Sequence, residues 1–393
     1  MSEKQDFGAL SGVTVGGKDI IHVAGMPTAA GSRFLGDMIE RRDATCVQRL
    51  RNAGALILGK TATTEFAFYD PAATRNPRNP EHTPGGSSSG SAAAVAAGFC
   101  SVAIGTQTFG SVIRPASYCG VFGLKPTYDA ISREGVIPLA WSLDHVGIFT
   151  QSAALAADCV EVLFEPDFRG ERPGVVTGES RVTRFERLRG TVAGVPDRYF
   201  FESLDTTSRT GFEAGIEALK RVGISLRNVT LPPLFEAAIA ASGVILRAEA
   251  ATFHRKWFLQ HAADYSPRLR EIVEAGRAIP AVDYLEARQS IQAARLQMSE
   301  LMEGFDFLVT PSTPTVAPAG LSWTGDPIFN TPFSIAGFPA ITLPAAYSPE
   351  GLPSGFQTAG RPWSETQLLR LALSLEEDGF GRFTPPRIEE KTT

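Results

Sequence analysis

The sequence predicts an α/β protein built on a large, mixed but mostly parallel twisted sheet that is covered by helices on both faces. Two observations carry this prediction. Short apolar, β-branched runs bounded by glycine alternate with helix-like segments near the N-terminus, and strand-like runs return at 305–311 and 339–344 after a long helical stretch. Alternation of strands with helices favours parallel pairing, because each crossover helix packs onto a face of the sheet.

The local pattern places the elements in order. At 70–90 a loop rich in Pro, Asn, Gly and Ser, which ends in its Gly/Ser part, runs straight into an alanine-rich helix at 91–99. Ser364 and Gln367 form a capping box that predicts the start of the last helix, and the Gly-, Arg- and Pro-rich stretch 165–195 is expected to be a surface excursion. Strands are expected within 12–24, 53–61, 101–105, 119–125, 305–311 and 339–344, and helices at 42–52, 91–99, 207–222, 234–260, 282–303 and 365–377.

The 393 residues are expected to form one domain. They are 43% hydrophobic and 20% charged, a composition that is typical of a globular chain with a large core. No internal repeat and no clear linker interrupts residues 1–393. Within this domain we expect an N-terminal core at about 12–165, a helical excursion at about 200–303, and returning strands with the final helix at about 305–380.

Charge and cysteine content exclude several classes of function. A net charge of −5 and a pI near 5.7 give no basic surface for phosphate groups, so nucleic acid is not an expected partner. The N-terminus has no apolar signal-peptide core and the run 92–105 is too short to span a bilayer, which predicts a cytoplasmic chain without a membrane partner. The four cysteines include no CxxC pair and are expected to be reduced thiols. The sequence contains no cluster of His and Cys residues that would predict a metal site.

One short motif is compatible with ATP binding. Residues 54–61 (GALILGKT) formally match the phosphate-binding pattern GxxxxGK[ST], in which Lys60 would contact phosphate. The residues between the two glycines are large and apolar, however. They favour a buried strand over a loop whose successive N–H groups wrap a phosphate.

A second motif is compatible with a Ser-His-Asp hydrolase. Residues 86–90 (GSSSG) match the nucleophile elbow GxSxG with Ser88 at the centre, and a helix follows. No core strand precedes the motif, as an elbow requires. Its histidine would have to be His145, His254 or His261, none of which has a local signature.

Several segments together resemble one enzyme family. In chain order they are GGKDIIHVAGMPTAAGS (16–32), PGGSSSGSAAAVAAG (84–98), GTQTFGSVIRPASYCGVFGLKPT (105–127), SLDHVG (142–147), FDFLVTPSTP (305–314), FSIAGFPAITLP (333–344) and GLPSGFQTAGRP (351–362). Over nearly the whole chain these segments resemble the amidase-signature enzymes. The resemblance implies the single-domain amidase-signature fold and hydrolysis of an amide without a cofactor.

The resemblance also implies which residues carry the chemistry. It assigns Ser111 as the nucleophile, Ser87, after a cis peptide, as the proton relay, and Lys18 as the base. Lys18 must be neutral to accept a proton, and burial without a carboxylate partner would lower its pKa accordingly. Strand alternation should point the adjacent Asp19 to the other face. The loop around the relay serine is expected to be supported by Gly85, Gly86, Ser88 and Gly90.

The oxyanion of the tetrahedral intermediate needs N–H donors, which the loop Thr108-Phe109-Gly110-Ser111 is expected to supply from its backbone. Here the sequence departs from the family pattern, which has Asp at the position of Gln107 and Gly at that of Phe109. Because a β-carbon restricts the backbone, Phe109 is expected to affect how tightly the oxyanion is held.

Arg114, three residues after Ser111, is the candidate for substrate binding. A guanidinium there would hold a substrate carboxylate bidentately, as in the malonamidase-like branch that the sequence resembles at this position. The alternative is an arginine that pairs with a loop carbonyl or an acid. Four aromatic residues lie in segments that border the substrate in related enzymes and are interpreted as either pocket wall or core: Trp141, Trp323, Phe329 and Phe333.

Two kinds of amide substrate fit the resemblance. The first is a small carboxamide, with carboxylate-bearing amides such as malonamate preferred, from which a stand-alone amidohydrolase releases ammonia or an amine. The second is glutamine, hydrolysed by the amidase-type subunit of an amidotransferase complex that passes the ammonia to a partner. The expected partner is therefore a small-molecule amide, and a homodimer is left open.

Overall fold

One mixed sheet runs through the residues that a computed structural model of the chain describes, namely 8–36, 38–164, 188, 190–232 and 235–386. Its ten strands are hydrogen-bonded in the order β2-β1-β3-β5-β4-β9-β10-β8-β6-β7 when numbered along the chain. The strands are β1 (Thr14–Lys18), β2 (Leu56–Thr61), β3 (Val102–Gln107), β4 (Phe122–Lys125), β5 (His145–Thr150), β6 (Val192–Pro196), β7 (Ser225–Val229), β8 (Phe307–Pro311), β9 (Ala340–Tyr347) and β10 (Pro353–Gly360).

The mixed α/β sheet is as predicted, but it contains fewer parallel pairs than expected. Parallel pairs lie toward its two edges, where β1 joins β2 and β3 and where β6 joins β7 and β8. All pairs between β3 and β8 are antiparallel. One cause is the short connection between β9 and β10, which can join only antiparallel neighbours. Another is β5, which lies between β3 and β4 rather than following them.

Helices form at every position where the sequence predicts one. In the described part of the chain they are α1 (Thr45–Asn52), α2 (Ser89–Ala96), α3 (Ile113–Cys119), α4 (Ala153–Leu163), α5 (Thr206–Arg221), α6 (Phe235–His261), α7 (Pro267–Arg277), α8 (Ala281–Leu301), α9 (Thr331–Ile335) and α10 (Glu365–Glu377). Helices α3, α4, α7 and α9 were not predicted. In the two short ones, α3 and α9, every residue is buried, so neither shows the alternation of apolar and polar faces that marks a surface helix.

Three local predictions need correction. Helix α10 begins at Glu365 as expected, but Ser364 does not cap it: its hydroxyl donates to Arg361 O (2.7 Å), because its φ/ψ of −96°/17° is not the extended conformation of an N-cap. Strand β2 is not buried, since it pairs only with β1 at the sheet edge and leaves Leu56 and Leu58 each 55% exposed. Most of the predicted excursion, 165–187 and 189, lies outside the described residues, and β6 begins at its end.

The four cysteines are buried free thiols, as predicted. Among the described helices none is long and apolar enough to cross a membrane. The organisation into one domain over 1–393 stays a prediction.

Sheet pairing brings the chemically important segments together. In the parallel pair of β1 with β3, Gly17 lies opposite Ile104. The carboxyl ends of both strands, at Lys18 and Gln107, therefore reach the same edge of the sheet. Helix α2 begins directly after the Gly/Ser loop, and this loop lies close to the ends of both strands.

Candidate active site

Lys18, the last residue of β1, is fully buried between two hydroxyl groups. Its Nζ lies 2.7 Å from Ser87 Oγ and 2.8 Å from Thr106 Oγ1. Burial lowers the pKa of Lys18 well below its usual value, because the low-polarity interior disfavours the ammonium. The negative charge of Asp144 opposes this shift and the positive charge of Arg114 adds to it. A buried, neutral amine in contact with a serine hydroxyl can act as a base.

The neighbouring Asp19 is turned away from Lys18, as strand alternation predicted. Its carboxylate lies 3.0 Å from Lys60 Nζ, and Lys60 also donates to Thr28 Oγ1 at 3.0 Å. This arrangement contradicts phosphate binding at 54–61. Most of that segment is β2, and its lysine is engaged with a carboxylate rather than aimed across an open glycine loop.

The loop that carries Ser87 is tightly built. The Gly86–Ser87 peptide is cis. Gly85 has a φ of +84°, and a β-carbon there would lie 2.8 Å from Pro115 Cα. A β-carbon at Gly90 would lie 2.3 Å from the backbone nitrogen of Ala62. Larger residues at both positions would therefore displace the loop from β2 and α3.

Ser88 ties the same loop to β3 and is not placed as a nucleophile. It is buried, and its hydroxyl donates to Thr106 O at 3.1 Å. The three candidate histidines are engaged elsewhere: His145 Nδ1 with Gln107 O, His254 Nδ1 with the Tyr265 hydroxyl, and His261 Nδ1 with Asp264 Oδ2. The structure thus contradicts a Ser-His-Asp hydrolase centred on Ser88.

A pocket brings the two predicted catalytic serines together. Ser87 and Ser111 both line it, the first from the Gly/Ser loop and the second from the turn between β3 and α3. The remaining lining is mostly apolar and comes in part from segments that the sequence did not single out. These lining residues are Ala67, Phe68, Tyr69, Thr108, Phe109, Gly110, Arg114, Leu139, Leu246 and Pro327.

The four residues of the predicted oxyanion loop all border this pocket. Within the described part of the chain, no acceptor takes the backbone N–H groups of Thr108, Phe109, Gly110 and Ser111. Donors without a protein partner at the rim of a pocket are available to an oxyanion. Their role as an oxyanion hole stays a prediction.

Asp144 supports this loop and was missed as a site residue. Its Oδ1 accepts a hydrogen bond from Thr108 Oγ1 at 2.6 Å, and its Oδ2 accepts from Leu139 N and Ala140 N. Burial raises the pKa of Asp144 to about 6, although these donors and Arg133 oppose the shift. The residue lies in the segment 142–147, which contributed to the resemblance but carried no assigned role.

Arg114 is buried and donates mainly to backbone carbonyls. Its guanidinium contacts Gly86 O and Gly325 O, both at 2.6 Å, and Thr324 Oγ1 at 3.2 Å. Of its two predicted roles, this geometry favours the arginine that pairs with loop carbonyls. Binding of a substrate carboxylate stays a prediction, since Arg114 also lines the pocket.

Thr106 and Ser334 were also missed, because their roles depend on which elements become neighbours. Thr106 reaches Lys18 through the pairing of β3 with β1, a register that a strand pattern alone does not give. Ser334 lies on the unpredicted helix α9 and donates to Phe109 O. None of the four candidate aromatic residues lines the pocket: Phe329 and Phe333 are core, and Trp141 and Trp323 are exposed.

Comparison with known proteins agrees with the motifs. The Amidase family model matches residues 1–369. A glutamyl-tRNA(Gln) amidotransferase subunit from Koribacter versatilis is 34% identical over 94% of this chain and 85% of that protein. Two solved structures are similar throughout. The corresponding glutamyl-tRNA(Gln) amidotransferase subunit from Thermotoga maritima has a TM-score of 0.83 and 29% identity, covering 98% of this chain and 88% of that one. The native peptide amidase of Stenotrophomonas maltophilia has a TM-score of 0.82 and 30% identity, covering 98% and 85%.

The family match over residues 1–369 includes every motif segment, from 16–32 to 351–362. The chain belongs to the Amidase family, the amidase-signature enzymes that its sequence resembles.

Proposed function

We propose that this chain hydrolyses a carboxamide through an acyl-enzyme on Ser111. The observation that carries the proposal is the 2.7 Å contact between Lys18 Nζ and Ser87 Oγ in a fully buried setting. A neutral amine accepts a proton through its lone pair, and a hydroxyl can accept one proton while donating another. Ser87 can therefore relay a proton from Ser111 to Lys18.

In the first half of the reaction, Ser111 Oγ attacks the amide carbon while its proton passes to Ser87 and the proton of Ser87 passes to Lys18. The carbonyl oxygen becomes an oxyanion beside the free N–H groups of the oxyanion loop. When the C–N bond breaks, the leaving nitrogen takes a proton from Ser87, and Lys18 returns its proton to Ser87. The products are ammonia or an amine and the Ser111 ester.

In the second half, water attacks this ester with the same groups in the same roles. Its proton passes through Ser87 to Lys18, and the second tetrahedral intermediate collapses to release Ser111 with a proton from the relay. The Asp144 carboxylate is a favourable neighbour for the transient Lys18 ammonium, since its charge raises the pKa of Lys18. These groups and one water molecule balance the reaction.

The names of the relatives favour glutamine as the amide substrate of this chain. Several of the most similar proteins are subunits of glutamyl-tRNA(Gln) amidotransferases, at 34% identity in two cases. We therefore propose a glutamine-hydrolysing subunit that delivers ammonia to a partner protein, in preference to a stand-alone enzyme. A preference for malonamate is less favoured, because Arg114 already donates to two carbonyls and a hydroxyl of the protein. A cytoplasmic location fits either function and stays a prediction.

Ammonia release from an amide panel tests the proposal. The panel contains glutamine, asparagine, malonamate, propionamide and a peptide amide. We expect activity in the wild type and a loss of several orders of magnitude in Ser111→Ala, Ser87→Ala and Lys18→Ala. Lys60→Ala is the matched control for Lys18→Ala, because Lys60 lies outside the pocket lining and pairs with Asp19.

The panel also separates the substrates. The highest kcat/KM on glutamine would support the amidotransferase subunit, whereas a preference for malonamate over propionamide would restore the carboxylate-bearing substrate. Full activity of Ser111→Ala on any amide would contradict the mechanism.

A further inference from the structure

The two peptide groups that lead into Ser111 are each held by their carbonyl oxygen. Phe109 O accepts a hydrogen bond from Ser334 Oγ at 2.7 Å, and Gly110 O accepts one from Arg114 N at 3.0 Å. In a trans peptide the carbonyl and the following N–H point in opposite directions. The two contacts therefore fix the directions of the Gly110 and Ser111 N–H groups, neither of which has an acceptor in the described part of the chain.

The hydroxyl of Ser334 is itself oriented by Gln107. Gln107 Nε2 donates to Ser334 Oγ at 2.8 Å, so the hydrogen of that hydroxyl is left to donate to Phe109 O. Gln107 Oε1 accepts from Val112 N and Ile113 N at 2.8 and 3.0 Å. These two N–H donors determine which way the Gln107 amide faces, because a flipped NH₂ group would confront two donors.

We infer that Ser334 is a positioning residue for the oxyanion hole and that Gln107 sets the direction of its hydroxyl. Ser334 is fully buried and does not line the pocket, so it acts through the peptide of Phe109 rather than on the substrate. The inference rests on the proposed function, because an oxyanion hole matters only if Ser111 attacks a carbonyl. The inference gives a role to a residue that was not among the site residues predicted from the sequence.

The pairing depends on an amide at position 107, where the family pattern has Asp. An ionised Asp has no hydrogen to donate, so it could not make the bond that Gln107 Nε2 makes to Ser334 Oγ. A glutamine instead donates to Ser334 and accepts from the first turn of α3. Gln107 and Ser334 are therefore a matched pair in this chain.

The test measures binding of phenylboronic acid and turnover in Ser334→Ala, Ser334→Thr and Gln107→Glu. Boron bonds to Ser111 Oγ while the serine proton passes to the relay, and the tetrahedral adduct places an oxygen at the oxyanion position without any C–N cleavage. We expect Ser334→Ala to weaken boronate binding about 10-fold and to lower kcat about 10- to 100-fold, less than the 10²–10³-fold cost of losing a donor outright. KM should stay within about threefold.

The comparison among variants distinguishes positioning from simple packing. Ser334→Thr keeps the hydroxyl and is expected to retain most of kcat, whereas Gln107→Glu removes the donor at constant volume and should reproduce the loss. The double variant Gln107→Glu/Ser334→Ala should be no worse than Ser334→Ala, because both changes act through one contact. Wild-type boronate affinity and kcat in Ser334→Ala, an additive double variant, or equal losses in Ser334→Thr at unchanged thermal stability would each overturn the inference.

Failure of the proposed function gives a different pattern. Suppose that the wild type cleaves no amide but binds the boronate, and that Ser111→Ala does not bind it. The proposal of amide hydrolysis is then wrong, while boronate binding by the variants still decides the role of Ser334. If the wild type neither cleaves an amide nor forms an adduct on Ser111, both are overturned.

Discussion

Two fully buried lysines end strands of the same sheet and have different partners. Lys18, at the end of β1, lies against two hydroxyl groups. Lys125, at the end of β4, donates to the carbonyl oxygens of Pro126 and Phe338. Burial lowers the pKa of both lysines, that of Lys125 to about 7.

The difference between them shows that burial alone does not make a lysine a base. A carbonyl oxygen only accepts, so the partners of Lys125 engage its hydrogens and offer no proton. A hydroxyl both accepts and donates, so the partners of Lys18 can interact with the lone pair of a neutral amine. Burial favours the neutral form at both sites, and the partner decides whether that form can receive a proton.

The largest expected difference in kcat is between two variants in which each lysine in turn is replaced by methionine. Lys18→Met removes the proposed base and should lower kcat by at least about 10³-fold, near the upper range for general base catalysis. Lys125→Met should leave kcat within about threefold, because Lys125 does not line the pocket. It should instead destabilise the fold by about 1–3 kcal/mol, since two buried carbonyls lose their donor.

Ammonia release under saturating amide and urea unfolding would measure the two effects. Equal kcat losses in the two variants would break the comparison, provided that both remain folded at the assay temperature.

Arg114 extends the comparison to a third buried basic side chain, which also donates to carbonyls. Arg114→Lys keeps the charge near Lys18, but a single ammonium cannot span Gly86 O and Gly325 O as the guanidinium does. We expect kcat to fall about 10- to 100-fold, because the Ser87 loop shifts relative to Ser111. The loss should be equal for malonamate and propionamide. A loss confined to malonamate would show that Arg114 binds the substrate carboxylate after all.

The sequence motifs sufficed to identify residues that lie together at one site, and the catalytic roles of these residues stay a prediction. Lys18, Ser87 and Ser111 were placed by the resemblance, and all three lie at one site through the Lys18–Ser87 contact and the shared pocket. The direction of Asp19 followed from strand alternation and is confirmed by its ion pair with Lys60. Both placements depend on local order along the chain.

The missed features depend on which segments become neighbours in space. Thr106 reaches Lys18 only because β3 pairs with β1, and Asp144 meets Thr108 only because β5 lies beside β3. Ser334 lies on α9, whose complete burial removes the amphipathic pattern by which a helix is recognised. The antiparallel centre of the sheet was missed for the same reason, since sequence order does not reveal that β5 separates β3 from β4.

Lys125 should also affect how the free energy of unfolding depends on pH. An unfolded lysine has a pKa of about 10.4, whereas that of Lys125 in the folded chain is lowered to about 7. Between these values the unfolded chain binds one more proton, so the free energy of unfolding rises by about 1.4 kcal/mol per pH unit from this residue. Below pH 7 both states are protonated and the contribution is flat.

Urea unfolding of wild type and Lys125→Met from pH 6 to 9.5 measures this slope. The difference between the two curves should grow with pH above about 7, since Lys18 contributes equally to both. Parallel curves would show that Lys125 remains charged in the folded chain.

The smallest effect is expected at Asp19, which is adjacent to Lys18 in sequence but belongs to a different electrostatic environment. Its carboxylate pairs with Lys60 at 3.0 Å and is partly exposed, so Asp19→Asn should cost less than about 1 kcal/mol of stability. Because Lys18 owes its lowered pKa chiefly to burial, kcat and the acidic limb of the pH–rate profile should remain near the wild type, with kcat within about threefold. A downward shift of that limb by about one pH unit would mean that the Asp19 charge reaches the Lys18 amine. The base would then depend on a carboxylate as well as on its two hydroxyl partners, and the contrast with Lys125 would no longer rest on those partners alone.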